Sequence, residues 1–100
     1  MDRDSDWWSQ ISAQVEAQYR DQLAVAGPEE RVRLASAMFG DGRRMLEARI
    51  RAADPSIDEV GVRQAMFLHL YGDEFPPTER ERILAGIAAA WRRSQDLHRA

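Results

Sequence analysis

Apolar residues recur at steps of three and four along nearly the whole chain. Three turn-forming clusters, Gly27-Pro28, Asp54-Pro55-Ser56 and Gly72 through Pro77, divide the pattern into four segments. The period is helical in each, so the pattern predicts an all-α fold: a compact bundle of four helices over about 4–26, 28–53, 56–71 and 78–98.

In the first segment Trp8, Ile11, Val15, Tyr19, Leu23 and Ala26 share one side, while Gln10, Gln14, Gln18, Arg20 and Asp21 occupy the rest. Such a helix lies against a body but is not surrounded by one. Asp4 or Ser5 is its expected N-cap. The second segment opens on Gly27-Pro28 followed by Glu29-Glu30, with Pro in the first turn and acids at the positive end of the helix dipole. Its stripe of Val32, Ala35, Phe39, Gly42, Leu46, Arg49 or Ile50, and Ala53 keeps phase across two glycines, which predicts one continuous helix although each Gly costs about 1 kcal/mol against Ala. Gly42 falls on the stripe, where a missing side chain admits a neighbouring helix. Gly40 lies off it and is a candidate kink.

Ser56-Ile57-Asp58-Glu59 reads as a capping box that starts the third helix. That helix closes near Tyr71-Gly72, with Gly72 suited to a left-handed terminal position, and its stretch from Ala65 to Tyr71 is apolar nearly all round, as a central helix should be. Thr78-Glu79-Arg80-Glu81 repeats the capping pattern after Pro76-Pro77, and Ile83, Leu84, Ile87, Trp91 and Leu97 form the expected inward face of the fourth helix.

Composition narrows the picture further. With 100 residues the chain has room for one core, so residues 1–100 read as a single helical domain. Its N-terminal amphipathic helix, residues 1–26, either packs across the body or is exchanged with a second copy in a dimer. All 14 basic residues are Arg and there is no Asn, which reflects GC-rich codon usage. The absence of Cys removes thiolate metal sites, iron–sulfur clusters and thiol nucleophiles together. A net charge of −3 and an isoelectric point near 5.3 argue against general affinity for nucleic acid. The polar Met1-Asp2-Arg3-Asp4 start and the lack of an apolar run near the ~18 residues a span requires point to a cytoplasmic protein with no membrane association.

Candidate chemistry is sparse. His69 and Asp73 stand four apart and could orient a base or a ligand, but a metal site needs three or four ligands and the other histidine, His98, lies near the chain end. No catalytic, cofactor-binding or metal-ligating residue is therefore assigned. Asp41 sits between two glycines beside Arg43 and Arg44, yet phosphate loops join a strand to a helix start, whereas this Gly-x-Gly lies inside a helical phase and reads as packing. Arg43, Arg44, Arg49, Arg51 and Arg63 make a locally basic middle that suits an alternative reading, a small dimeric DNA-binding regulator. Against it, the third helix is apolar at its centre, where a recognition helix carries polar donors. Trp7 and Trp8 point about 100° apart on a helix and cannot both face one narrow core. With Ile11, Val15 and Tyr19 they form the candidate interaction residues. Met38, Met45 and Met66 read as core filler.

The stretch from Arg31 to Phe75 resembles a family of small uncharacterised helical bacterial proteins, common in cyanobacteria and other environmental bacteria. The shared features are an Arg followed at a distance by Met-Phe (Arg31, Met38, Phe39), a Pro-Ser turn (Pro55, Ser56), and Phe67, Leu68, Tyr71, Gly72 and Phe75 at the end of the third helix. Some members are encoded beside nucleotidyltransferase-like proteins, so the resemblance implies a partner or antitoxin-like role. Together these readings describe a non-enzymatic protein–protein interaction module, the small partner or antitoxin-like component of a bacterial enzyme. It needs no cofactor, and homodimerisation is the default because a body this small gains by burying a leftover apolar stripe against its twin.

Overall fold

The structure, a computed structural model, describes residues 7–99. Helix α1 runs Trp7–Val25, α2 Pro28–Ala53, α3 Glu59–Tyr71 and α4 Pro77–Arg99, with a 3-10 turn over Gly72–Glu74 after α3. The fold is all-α, and no strand occurs among the described residues. The expected cap at Asp4 or Ser5 lies outside the described residues. The chain divides into two compact units, one up to Arg49 and one from Ile50.

The first unit is a helical hairpin of α1 and most of α2. Its link is the short Ala26-Gly27 segment. The Gly27 carbonyl accepts from the Arg31 amide at 2.9 Å, Pro28 takes the first helical position, and Arg31 Nε donates back to the Ala26 carbonyl at 3.2 Å. Glu30 holds Arg33 one turn on by two bonds of 2.8 and 2.5 Å. The core of this unit is Ile11, Val15, Leu34 and Leu46, the last two almost fully buried.

Helix α2 is unbroken through Gly40 and Gly42, as the phase of its stripe requires. Gly42 is buried, and a Cβ there would stand 3.0 Å from Trp8 Cη2 and 3.2 Å from Trp8 Cζ3, so the missing side chain is what seats the indole. The stripe itself needs correction. Val32, Ala35 and Ala53 are exposed and Phe39 is 44% exposed, while Leu34, absent from the expected stripe, is 1% exposed. The buried line starts at Leu34, passes Met38 and Gly42, and reaches Leu46 and Ile50. Its steps of four overshoot the 3.6-residue turn by about 40° each, so it drifts around the helix and leaves the N-terminal half of the predicted stripe uncovered.

The second unit holds the end of α2, α3 and α4, with Ile50, Val62 and Met66 as its buried side chains. Helix α3 begins three residues later than the sequence pattern suggests. Ser56 is not its cap: the Ile57 amide donates to the Asp54 carbonyl at 3.1 Å, closing a turn, and the Ser56 hydroxyl is spent on Asp54 Oδ1 at 2.8 Å. Asp58 caps instead, in extended backbone, accepting from the Gly61 amide at 2.8 Å. Ile57 folds back over that first turn, where a Cβ on Gly61 would meet its Cγ1 at 2.6 Å. Glu59 bonds Arg51 across the turn at 2.6 Å.

At the other end Gly72 is right-handed, with φ −56° and ψ −36°, not left-handed. The chain tightens into the 3-10 turn, whose Phe75 amide donates to the Gly72 carbonyl at 3.3 Å, and Pro76-Pro77 then redirects it. Helix α4 begins at Pro77 rather than Thr78: the Pro76 carbonyl accepts from the Arg80 amide at 2.9 Å, which puts Pro77 in the first helical position that proline favours. Ile83, Leu84, Ile87 and Trp91 are half-buried, but Leu97 is 77% exposed and does not belong to the inward face. Helix α3 is likewise uncovered on one side, at Leu68 and Tyr71.

Candidate protein-interaction site

Each of the candidate interaction residues of α1 has a place in the first unit. Ile11 and Val15 are 4% and 3% exposed and form its core. Trp8 is half-buried over Gly42 and meets Phe39 edge-on, with centroids 5.9 Å apart. Trp7 is half-buried beneath the Arg49 guanidinium, 4.8 Å from the ring centre, and Arg49 Nη1 also donates to Gln10 Oε1 at 2.9 Å. The Tyr19 hydroxyl donates to Asp41 Oδ2 at 2.5 Å, and Arg44 pairs with the other oxygen of that carboxylate. The hydrogen bond from Tyr19 holds the Asp41 carboxyl below its ordinary pKa, with Arg44 acting the same way. Bonding to Asp41 in turn raises the Tyr19 phenol above its own. Asp41, between its two glycines, is therefore a fastening point of the hairpin.

Beside these lies what the sequence pattern placed in the core and the structure leaves outside. Val32 is 72% exposed, Ala35 and Ser36 are exposed, and Phe39 presents nearly half its surface, its ring covered in part by Trp8 and by the Arg43 guanidinium at 5.9 Å. A half-stripe of this kind, apolar at helical spacing and framed by aromatic and guanidinium groups, suits recognition of another helix or groove. The signal was present in the sequence as the stripe itself. What could not be read was the drift of the buried line that turns its upper half outward.

The basic middle is engaged residue by residue. Arg43 stacks on Phe39, Arg44 pairs with Asp41 and Arg49 covers Trp7. In the second unit Arg51 pairs with Glu59, and Arg63 covers Trp91 at 4.5 Å. His69 stands on the last turn of α3 and Asp73 in the exposed 3-10 turn that follows. Among the described residues no group of three or more His, Asp or Glu is arranged to hold a metal ion. No helix among them is long and apolar enough to cross a membrane.

Residues 25–93 match the sequence model of a family described as Rv0078B-related antitoxin. No curated protein and no solved structure matches the chain significantly. The matched segment takes in α2, α3 and most of α4, and with them the exposed half-stripe of Val32 and Phe39. Trp7, Trp8, Ile11, Val15 and Tyr19 precede it.

Proposed function

This chain belongs to the Rv0078B-related antitoxin family, and from that premise we propose that it is the neutralising partner of a toxin enzyme, acting in the cytoplasm by binding rather than by catalysis. The observation that carries the reading to a surface is the uncovered half-stripe of α2. Val32 is left largely open in the first unit, Phe39 keeps nearly half its surface exposed beside Trp8, and both lie in the matched segment. Helix α1 completes the surface. Ile11 and Val15 hold it down, and Trp8 braces Phe39.

The test is a tagged full-length chain recovered from its native cell, with intact mass of the eluted complex. The expected result is a stoichiometric second protein whose expression without this chain arrests growth. Val32→Asp should release that protein and leave helical circular dichroism unchanged, because the position is 72% exposed; Phe39→Asp should release it as well, at some cost to the hairpin, since Phe39 also packs on Trp8. Ile11→Asp is unsuitable as a probe, since it places an unpaired carboxylate in the core and unfolds the hairpin. A second protein retained by both α2 variants would move the binding surface elsewhere, and recovery of the chain alone would overturn the antitoxin reading.

A further inference from the structure

The outer side of α4 is left free by both the fold and the function proposed above. Among the described residues α4 buries no side chain. Its half-buried side faces α3, where Gln64 Nε2 donates to the Leu84 carbonyl at 2.9 Å and Arg63 covers Trp91. The opposite side presents Glu79, Arg82, Gly86, Ala90, Arg93 and Leu97, all exposed. At about 100° per residue, Glu79, Arg93 and Leu97 fall within about 20° of Gly86, and Arg82 and Ala90 within about 40°.

We propose that α4 pairs antiparallel with α4 of a second copy of this chain, crossing at Gly86 and closed by two reciprocal Glu79–Arg93 ion pairs. The spacing is what makes the face self-complementary. Glu79 precedes Gly86 by seven positions and Arg93 follows it by seven, two turns on either side of one point. A two-fold axis through that point sets each Glu79 against Arg93 of the second copy, whereas a parallel pairing would set acid against acid and base against base. Neither residue is paired with another described residue, in contrast to Glu30 with Arg33, Asp41 with Arg44 and Arg51 with Glu59.

Gly86 supports the same crossing. No atom lies within 4 Å of where its Cβ would be, so packing within the chain does not require a glycine there, although glycine weakens a helix interior. In the pair it lets two backbones approach, with Ala90 of each chain beside it.

The experiment is sedimentation equilibrium of the purified full chain over a concentration series. The wild type is expected to be a dimer. Glu79→Arg and Arg93→Glu should each weaken dimerisation about tenfold or more, because each turns two attractions into two repulsions, while helical content stays unchanged. An equimolar mixture of the two variants should recover the dimer, since both arginines of the first variant then face both acids of the second. Gly86→Leu should weaken the wild-type dimer without unfolding the monomer. A wild type that is monomeric throughout, a dimer indifferent to both reversals, or a mixture that fails to recover would each overturn the proposal, and none bears on toxin binding.

Discussion

At the scale of single residues, the hydrogen bond from Tyr19 to Asp41 shows how a feature that looks like a site can be a fastening. Two glycines around an acid beside two arginines suggest an anion or recognition corner, yet the carboxylate is taken by a phenol from α1 and a guanidinium from its own helix. Since the folded chain lowers the Asp41 pKa, the bond supports the hairpin above the ordinary carboxylate value of about 3.9 and is lost as pH falls through the lowered folded value. The raised Tyr19 pKa works in the other sense: its contribution is present below the ordinary phenol value of about 10 and is lost as pH rises through the raised folded value. Tyr19→Phe should therefore move the Asp41 titration, followed by NMR, upward toward the ordinary value while Arg44 holds part of the shift. An unchanged titration would show that the phenol does not govern that carboxylate. The sequence named both residues, but nothing in their spacing, 22 positions apart on different helices, could say that they meet.

At the scale of elements, helix existence was legible and helix ends were not. The apolar period located all four helices because it reports one-sided burial, which every helix here has. The ends depend on which of several capping side chains wins, and at α3 two candidates stand two residues apart. Asp58 wins because the Asp54–Ile57 turn withdraws Ser56. Asp58→Ala should cost about 1 kcal/mol in denaturant unfolding, whereas Ser56→Ala should cost a fraction of that; equal costs would return the cap to Ser56. The paired glycines of α2 make a second contrast. At Gly40 a Cβ meets Arg44 Nη1 at an ordinary 3.6 Å, so Gly40→Ala should stabilise by roughly 0.5–1 kcal/mol through helix propensity. Gly42→Leu drives a side chain into Trp8 and should destabilise by about 1–3 kcal/mol. The same sign for both would contradict the seating of the indole. Gly42 was foreseeable from its phase on the stripe. The exposure of Val32 and Phe39 was not, because a stripe gives the period of a buried face but not the angle at which a partner helix crosses it.

At the scale of the whole molecule, the described core is small for a chain of 100 residues: Ile11, Val15, Leu34 and Leu46 in one unit, Ile50, Val62 and Met66 in the other. Units of about 50 residues bury too little apolar surface to be strongly stable alone, and here Val32, Phe39, Leu68, Tyr71 and Leu97 remain exposed. Stability of such a chain is coupled to what it binds. A partner present at one hundred times its dissociation constant adds about 2.7 kcal/mol, which for a domain of this size corresponds to a rise of roughly 10–20 °C in Tm. A toxin partner of the kind proposed should raise the Tm of this chain by that order, measured by differential scanning fluorimetry in an excess of that partner. Val32→Asp should abolish the rise while leaving the Tm of the free chain within a few degrees. If instead the variant lowers the free Tm as much as the bound one, Val32 contributes to the fold and the outward half of the α2 stripe is not the binding face.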